Sequence, residues 1–219
     1  MCREIKYELY KLFRECFLWG TLLIILIISF VMTSGSNITL NNLLQKSFLT
    51  EIIASLYAAF FIARDLEDKR ILYPILSGNN RFKIIICQFV SAVIATEILN
   101  LAFPLFEIFQ QSEWLPIDKL HIILNYIILG VFLASLGLLM AWVFKKSGMA
   151  IVGGIIFHII SLFLMNHEIL STAAMRFFPV GVTKLLIEGN ATGYIYMIPW
   201  IWTAVLLLFT VLISRNRNL

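Results

Sequence analysis

The sequence predicts an all-α, polytopic membrane protein with six transmembrane helices. Three observations predict it. The 219 residues are 60% hydrophobic and only 14% charged, against ~45–50% and ~25% in an average soluble domain. The apolar residues gather in runs close to the ~20 that a helix needs to cross a bilayer. The basic residues collect at alternate ends of those runs. The first observation excludes a soluble enzyme, a nucleic-acid-binding domain and a disordered chain, because so few charges cannot cover that much apolar surface. The net charge of +4 therefore reads as membrane orientation. The lipid bilayer is the expected partner, and no nucleic acid is.

Each element follows in order. Residues 1–15 alternate charge with Ile5, Leu9, Leu12 and Phe13 at helical spacing, the pattern of an amphipathic helix lying in the interface. Acidic residues interrupt its basic stretch, which does not suit a signal peptide. Ser34-Gly35-Ser36 imitates a cleavage site, but losing the first span would spoil the charge pattern. Residues 16–219 form a single transmembrane domain with spans over 16–33, 48–63, 84–106, 120–144, 148–165 and 195–213. The second has the shortest apolar run, with Glu51 at its start. Segment 166–194 carries Arg176, Pro179, Lys184 and Glu188. It is too polar to span and reads as short re-entrant helices at the outer interface before the last span.

With the N-terminus in the cytosol, thirteen of the 17 Lys and Arg residues lie inside; only Lys46, Lys119, Arg176 and Lys184 lie outside. That bias fits an even number of spans in a cell membrane with both termini cytoplasmic. Trp19 and Trp142 fall to the inner aromatic belt, and Trp114, Trp200 and Trp202 to the outer one. Cys2, Cys16 and Cys87 show no metal or redox spacing and map to the cytosolic side, so no disulfide framework is expected. Two sequons, at Asn37 and Asn190, read as chance polar loops.

No GxxxxGK[ST] phosphate loop is present. The chain is therefore expected to bind no cofactor and to be no enzyme itself. Any ATP-driven work would need a separate ATPase chain. Paired glutamates followed by arginine, GxSG and HExxH are also absent, which argues against an intramembrane protease. His158, His167 and Glu168 lack metal-ligand spacing.

Two regions concentrate the remaining chemistry. Loop 64–83 packs charges of both signs around Leu66, Ile71, Leu72, Ile75 and Leu76. Such a loop is either a short helix docking into a partner's groove with charges on the rim or a helix lying on the lipid interface. The second region is within the spans. Glu97, Asn100, Pro104 and Glu107 are spaced 3, 4 and 3 apart, on one helical face. Ionisable residues in lipid are costly and face protein or water. The stripe is a translocation pathway or dimer seam, or it is interhelical hydrogen-bond glue with Glu107 at the headgroups. His158 shares a face with Gly154, Ser161 and Met165 and is either a proton relay or a packing residue. Gly130, Ala134, Gly137 and Ala141 form a small-residue stripe that admits a neighbouring helix.

Asp65, Glu67, Ser77-Gly78 and Arg81 carry a resemblance. The loop resembles the signature of ABC-2-type transporter permeases, the six-span membrane subunits of type V ABC transporters. That signature reads approximately acid-aromatic-acid, then Thr and basic residues, then Leu-Leu-Ser, and ends Gly-x-x-Arg. The N-terminal helix is similar to the family's connecting helix. Lys145-Lys146-Ser147-Gly148 is similar to its basic turn, and the segment around Pro179 to its re-entrant pair. The resemblance implies a coupling helix against an ABC ATPase, formed by Asp65, Leu66, Glu67, Asp68, Lys69, Arg70, Ile71, Leu72 and Arg81. It further implies ATP and Mg on that partner, a second permease copy or similar subunit, and a bacterial cell membrane. Export of an amphipathic or lipophilic compound, such as a peptide or antibiotic, follows as the expected function. The chain departs from the pattern at Leu66, where an aromatic is usual, at Arg70, where threonine is usual, and at Pro74, inside the expected helix. A non-transporting sensor or immunity protein, binding a peptide or lipid at 166–194, is the alternative.

Overall fold

The computed structural model describes residues 2–33, 40–71, 74–75, 78, 80–110, 116–166, 177–178 and 196–216. These form seven helices and, among the described residues, no strand. They are α1 (Cys2–Arg14), α2 (Cys16–Thr33), α3 (Leu40–Glu67), α4 (Arg81–Gln110), α5 (Pro116–Phe144), α6 (Ser147–Asn166) and α7 (Ile198–Asn216). Each stretch expected as a span overlaps one of the helices α2 to α7. Of segment 166–194, only Asn166, Phe177 and Phe178 are described, so the expected re-entrant helices lie outside the described residues.

Among the described residues, four helical stretches are long and apolar enough to cross a membrane: Arg81–Phe109, Lys119–Phe144, Ser147–Leu164 and Ile198–Arg215. A fifth is reached by joining α1 and α2, which meet at a bend of 57°. The expected count of six therefore exceeds what length and composition give, and α3 is the helix that falls short. The packing explains why. α3 contacts α2, α4, α5 and α6, and Ala54, Ala58, Ala59 and Ala63 on it are fully or almost fully buried. It also buries Thr50, Glu51 and Ser55. A helix enclosed by other helices needs small side chains that allow close approach more than it needs long apolar ones.

α5 is the centre of the bundle and packs against α3, α4, α6 and α7. A Cβ placed on Gly137 of α5 would lie 2.8 Å from Ala58 Cβ and 2.9 Å from the Ala59 backbone nitrogen. The absence of that carbon sets the α3–α5 distance. Ala134 and Ala141 complete the expected stripe and are fully buried. By contrast, α2, α6 and α7 turn large apolar faces outward: Leu23, Ile27 and Phe30 on α2, Ile156, Ile159 and Phe163 on α6, Ile201 and Leu208 on α7.

Polar contacts gather the helix ends on one side of the bundle. Glu4 meets Lys83, Glu15 meets Arg64, Glu67 meets Ser147 and Arg81 meets Ser214. The starts of α2, α4 and α6 thus lie beside the ends of α3, α5 and α7, an up-and-down arrangement. The lysines and arginines of α1, the α3–α4 connection, the α5–α6 turn and the α7 terminus share this basic end. One expectation changes here. Trp142 is no belt residue: it is fully buried and donates its indole N–H to Gln88 Oε1 at 3.1 Å. Phe13 of α1 is 43% exposed, and Leu12 beside it is fully buried. Cys87 is buried in α4, and both it and Cys16 are free thiols.

Candidate functional site

The basic end is built around the last turn of α3. There Arg70 N–H bonds the Asp65 carbonyl at 2.9 Å and Lys69 N–H bonds the Leu66 carbonyl at 3.3 Å. This is a Schellman stop, with Lys69 at φ 55° in the left-handed position that glycine ordinarily takes. Lys145 adopts the same conformation, φ 57°, after α5. Lysine tolerates this position less well than glycine. Its charge is compensation, since a cation at a helix C-terminus meets the negative end of the dipole.

The stop sorts the expected coupling residues into two groups. Asp65, Leu66 and Ile71 turn inward and are buried. Asp65 pairs with Lys11 of α1, and the same ammonium sits 4.4 Å from the centre of the Phe61 ring. Lys11 also meets Glu8 at 3.2 Å; burial of the Glu8 carboxyl pushes its pKa above the ordinary value. Glu67 caps the next helix. Its Oε2 accepts from the Ser147 hydroxyl at 2.6 Å and the Ser147 N–H at 2.9 Å, and these bonds hold its pKa below the ordinary carboxylate value. It thereby satisfies a donor that the start of α6 would otherwise leave unpaired. Asp68, Lys69 and Arg70 remain outside as an exposed turn, with Arg70 and Asp68 paired at 3.0 Å. Pro74 is helical but lies beyond α3, which ends at Glu67. Leu72 and Ser77 lie outside the described residues. Arg81 opens α4 and donates to the Ser214 carbonyl of α7 at 2.7 Å.

A cavity of about 380 Å³ separates α1 from this turn. Its walls include Tyr7, Lys11, Asp65, Arg70 and Ile84. α1 thus rests on the α3–α4 connection through charged contacts and a partly open space. Sequence reading missed Lys11, Glu8 and Ser147 as parts of this assembly. The charge alternation in α1 was the available signal, but it carried no information on which acid each lysine meets.

The intramembrane stripe has a different character. Asn100, Pro104 and Glu107 of α4 are buried within the chain. The face looks toward α5. Asn100 Nδ2 donates to the Tyr126 carbonyl at 3.0 Å, and Thr96 Oγ1 donates to the Gly130 carbonyl at 3.1 Å. Glu97 folds over Gly130: a Cβ there would meet Glu97 Oε1 at 2.4 Å. Both Glu97 carboxylate oxygens and Asn100 Oδ1 are buried without a hydrogen-bond partner. Burying such groups costs free energy, so the seam carries polar groups that stability alone does not explain.

His158 belongs elsewhere. Its Nε2 lies 2.6 Å from Ser55 Oγ of α3, and the Ser55 hydroxyl donates to the Ile52 carbonyl. Phe48 and Phe157 close edge-on around the ring. His158 therefore ties α6 to α3 and stands apart from the Glu97 stripe, which faces α5. Among the described residues, no three His, Cys, Asp or Glu side chains are grouped to hold a metal. No protein-family model matches the chain, and no curated protein matches it.

Proposed function

We propose that the chain is the permease subunit of an ATP-driven ABC transporter, embedded in the cell membrane with six spans and both termini in the cytosol. α2 and α3 supply the two spans beyond the four that composition alone supports. A second copy, or a similar subunit, completes the pathway, and a separate ATPase binds ATP and Mg. Export of an amphipathic or lipophilic compound is the function in this reading.

One observation carries it. The exposed turn Asp68–Arg70 caps a helix end that is fastened to two other elements. Asp65 reaches α1 through Lys11, Glu67 reaches α6 through Ser147, and Arg70 N–H is bound back to α3. Force applied at the turn would pass to α1 and to α6 instead of being lost in a loose loop. A coupling element needs that property, since a partner shifts an equilibrium only by binding one arrangement better than the other. The acidic positions of the family-like signature act here as anchors, and Lys69 and Arg70 as the surface offered to the ATPase.

Purification of the tagged chain from its native membrane tests the reading. An ABC ATPase should co-purify with the wild type and be lost from the Lys69→Glu/Arg70→Glu variant, which remains folded although loss of the cations at the α3 C-terminus lowers its unfolding midpoint slightly. The proposal fails if no ATPase accompanies the wild type, or if the charge-reversed chain retains it fully.

A further inference from the structure

At the basic end, a groove of about 590 Å³ runs between the start of α4 and the end of α7, lined by Asn80, Arg81, Phe82, Val211, Ser214 and Arg215. We infer that this groove binds the phosphate headgroup of an anionic glycerophospholipid. The inference rests on bilayer placement of the helices and not on coupling to an ATPase.

Depth is the first argument. The apolar stretches Arg81–Phe109 and Ile198–Arg215 have their charged ends at these two arginines. The groove therefore lies where both helices leave the hydrocarbon, at the level of headgroups. Charge is the second. Among the described residues, the lining holds two arginines and no acid. Arg81 is oriented by its bond to the Ser214 carbonyl at 2.7 Å, and the Ser214 hydroxyl is turned away onto the Val211 carbonyl at 2.7 Å. Arg215 is exposed and forms no ion pair among the described residues. Planar guanidinium groups match phosphate oxygens in two-point contacts, and basic pockets between spanning helices suit anionic headgroups. The volume lies within the ~300–1,000 Å³ of small-ligand pockets.

Shape distinguishes a lipid from a free anion. Phe82 is 53% exposed at the groove edge, and Leu208 and Leu212 are exposed on α7. Spacings of 4 and 3 place Leu208, Leu212 and Arg215 along one helical stripe. A headgroup held by Arg215 would lay its acyl chain on this apolar track. Inorganic phosphate would leave the track unused.

The test uses the full chain in nanodiscs of phosphatidylcholine containing a minor fraction of phosphatidylglycerol, with retained lipid counted after extraction into detergent. The wild type should retain phosphatidylglycerol at least about fivefold over its share of the disc, the scale expected for one basic residue at a membrane surface. Arg215→Gln should lose most of that enrichment with unaltered thermal unfolding, and Arg215→Lys should keep part of it. Arg81→Gln is the less clean variant because it also unties α4 from α7. Retention of the two lipids in proportion to the disc would overturn the inference, as would full enrichment in Arg215→Gln. Displacement of phosphatidylglycerol by millimolar inorganic phosphate would overturn the lipid assignment in favour of a free anion.

Discussion

The basic end and the α4–α5 seam both hold charged or polar side chains out of water, and they do so in opposite ways. At the basic end the buried acid has an answer: Asp65 meets Lys11, and the half-buried Glu8 and Glu15 face Lys11 and Arg64. In the seam, Glu97 lies on the bare backbone of Gly130 with neither oxygen bonded. The first arrangement fixes helices against each other. The second keeps an acceptor where an apolar residue would pack more favourably, which is the mark of a group retained for something other than stability. In the permease reading, the paired region transmits and the unpaired region meets the transported compound or the protons that accompany it.

Substitutions can break this contrast, beginning with the largest effect. Asp65→Asn removes one of the two acids that meet the half-buried Lys11 and leaves Glu8 as the other, so the cost should be about 3 kcal/mol, the low end for breaking a buried pair. Thermal unfolding in detergent should fall accordingly; an unchanged midpoint would mean that the pair is solvated and idle. Gly137→Ala comes next. The new carbon meets α3 backbone, and overpacking of that kind costs about 1–3 kcal/mol. Gly130→Ala should cost less, because there the obstacle is the mobile end of Glu97. Equal losses would refute the packing order of the two glycines.

Glu97→Met should act with the opposite sign. It removes an unsatisfied buried acceptor, worth about 1–3 kcal/mol, so the protein should unfold later while transport falls. A less stable variant would show that Glu97 is bonding glue after all. The smallest effect concerns pH. The Glu67 pKa is lowered by the bonds from Ser147. Its cap therefore stabilises above the ordinary carboxylate value and is lost as pH falls through the lowered one. Glu67→Gln should flatten the acid limb of a stability–pH curve, and an unaltered limb would count against the cap.

Much of the fold was legible because periodicity and run length report directly on which residues avoid water. Residues 16–33 were expected as a span and are α2; 120–144 lies within α5. The short apolar run at 48–63 hid the true length of α3, since a helix enclosed by its neighbours is made of alanines and buried hydroxyls that hydropathy scores poorly. The site was legible only in part. Spacing put Glu97, Asn100 and Glu107 on one face, but it could not say that the face meets α5. Nor could it say that Asp65 turns inward to Lys11 while Lys69 stays outside. Those facts depend on contacts across 54 positions of chain, which no local pattern encodes. Trp142 failed for the same reason: its position near a helix end suggested an interface, and Gln88 holds it in the core.

The most direct test of the account is the ATP-hydrolysis rate in proteoliposomes to which the ATPase purified with the wild type is added in equal amount, measured with wild-type chain and with Lys69→Glu/Arg70→Glu chain at matched permease content. The account predicts that the wild type supports hydrolysis responsive to transported compound and that the charge-reversed turn abolishes the response while the bundle stays folded. An identical response from both chains would contradict it.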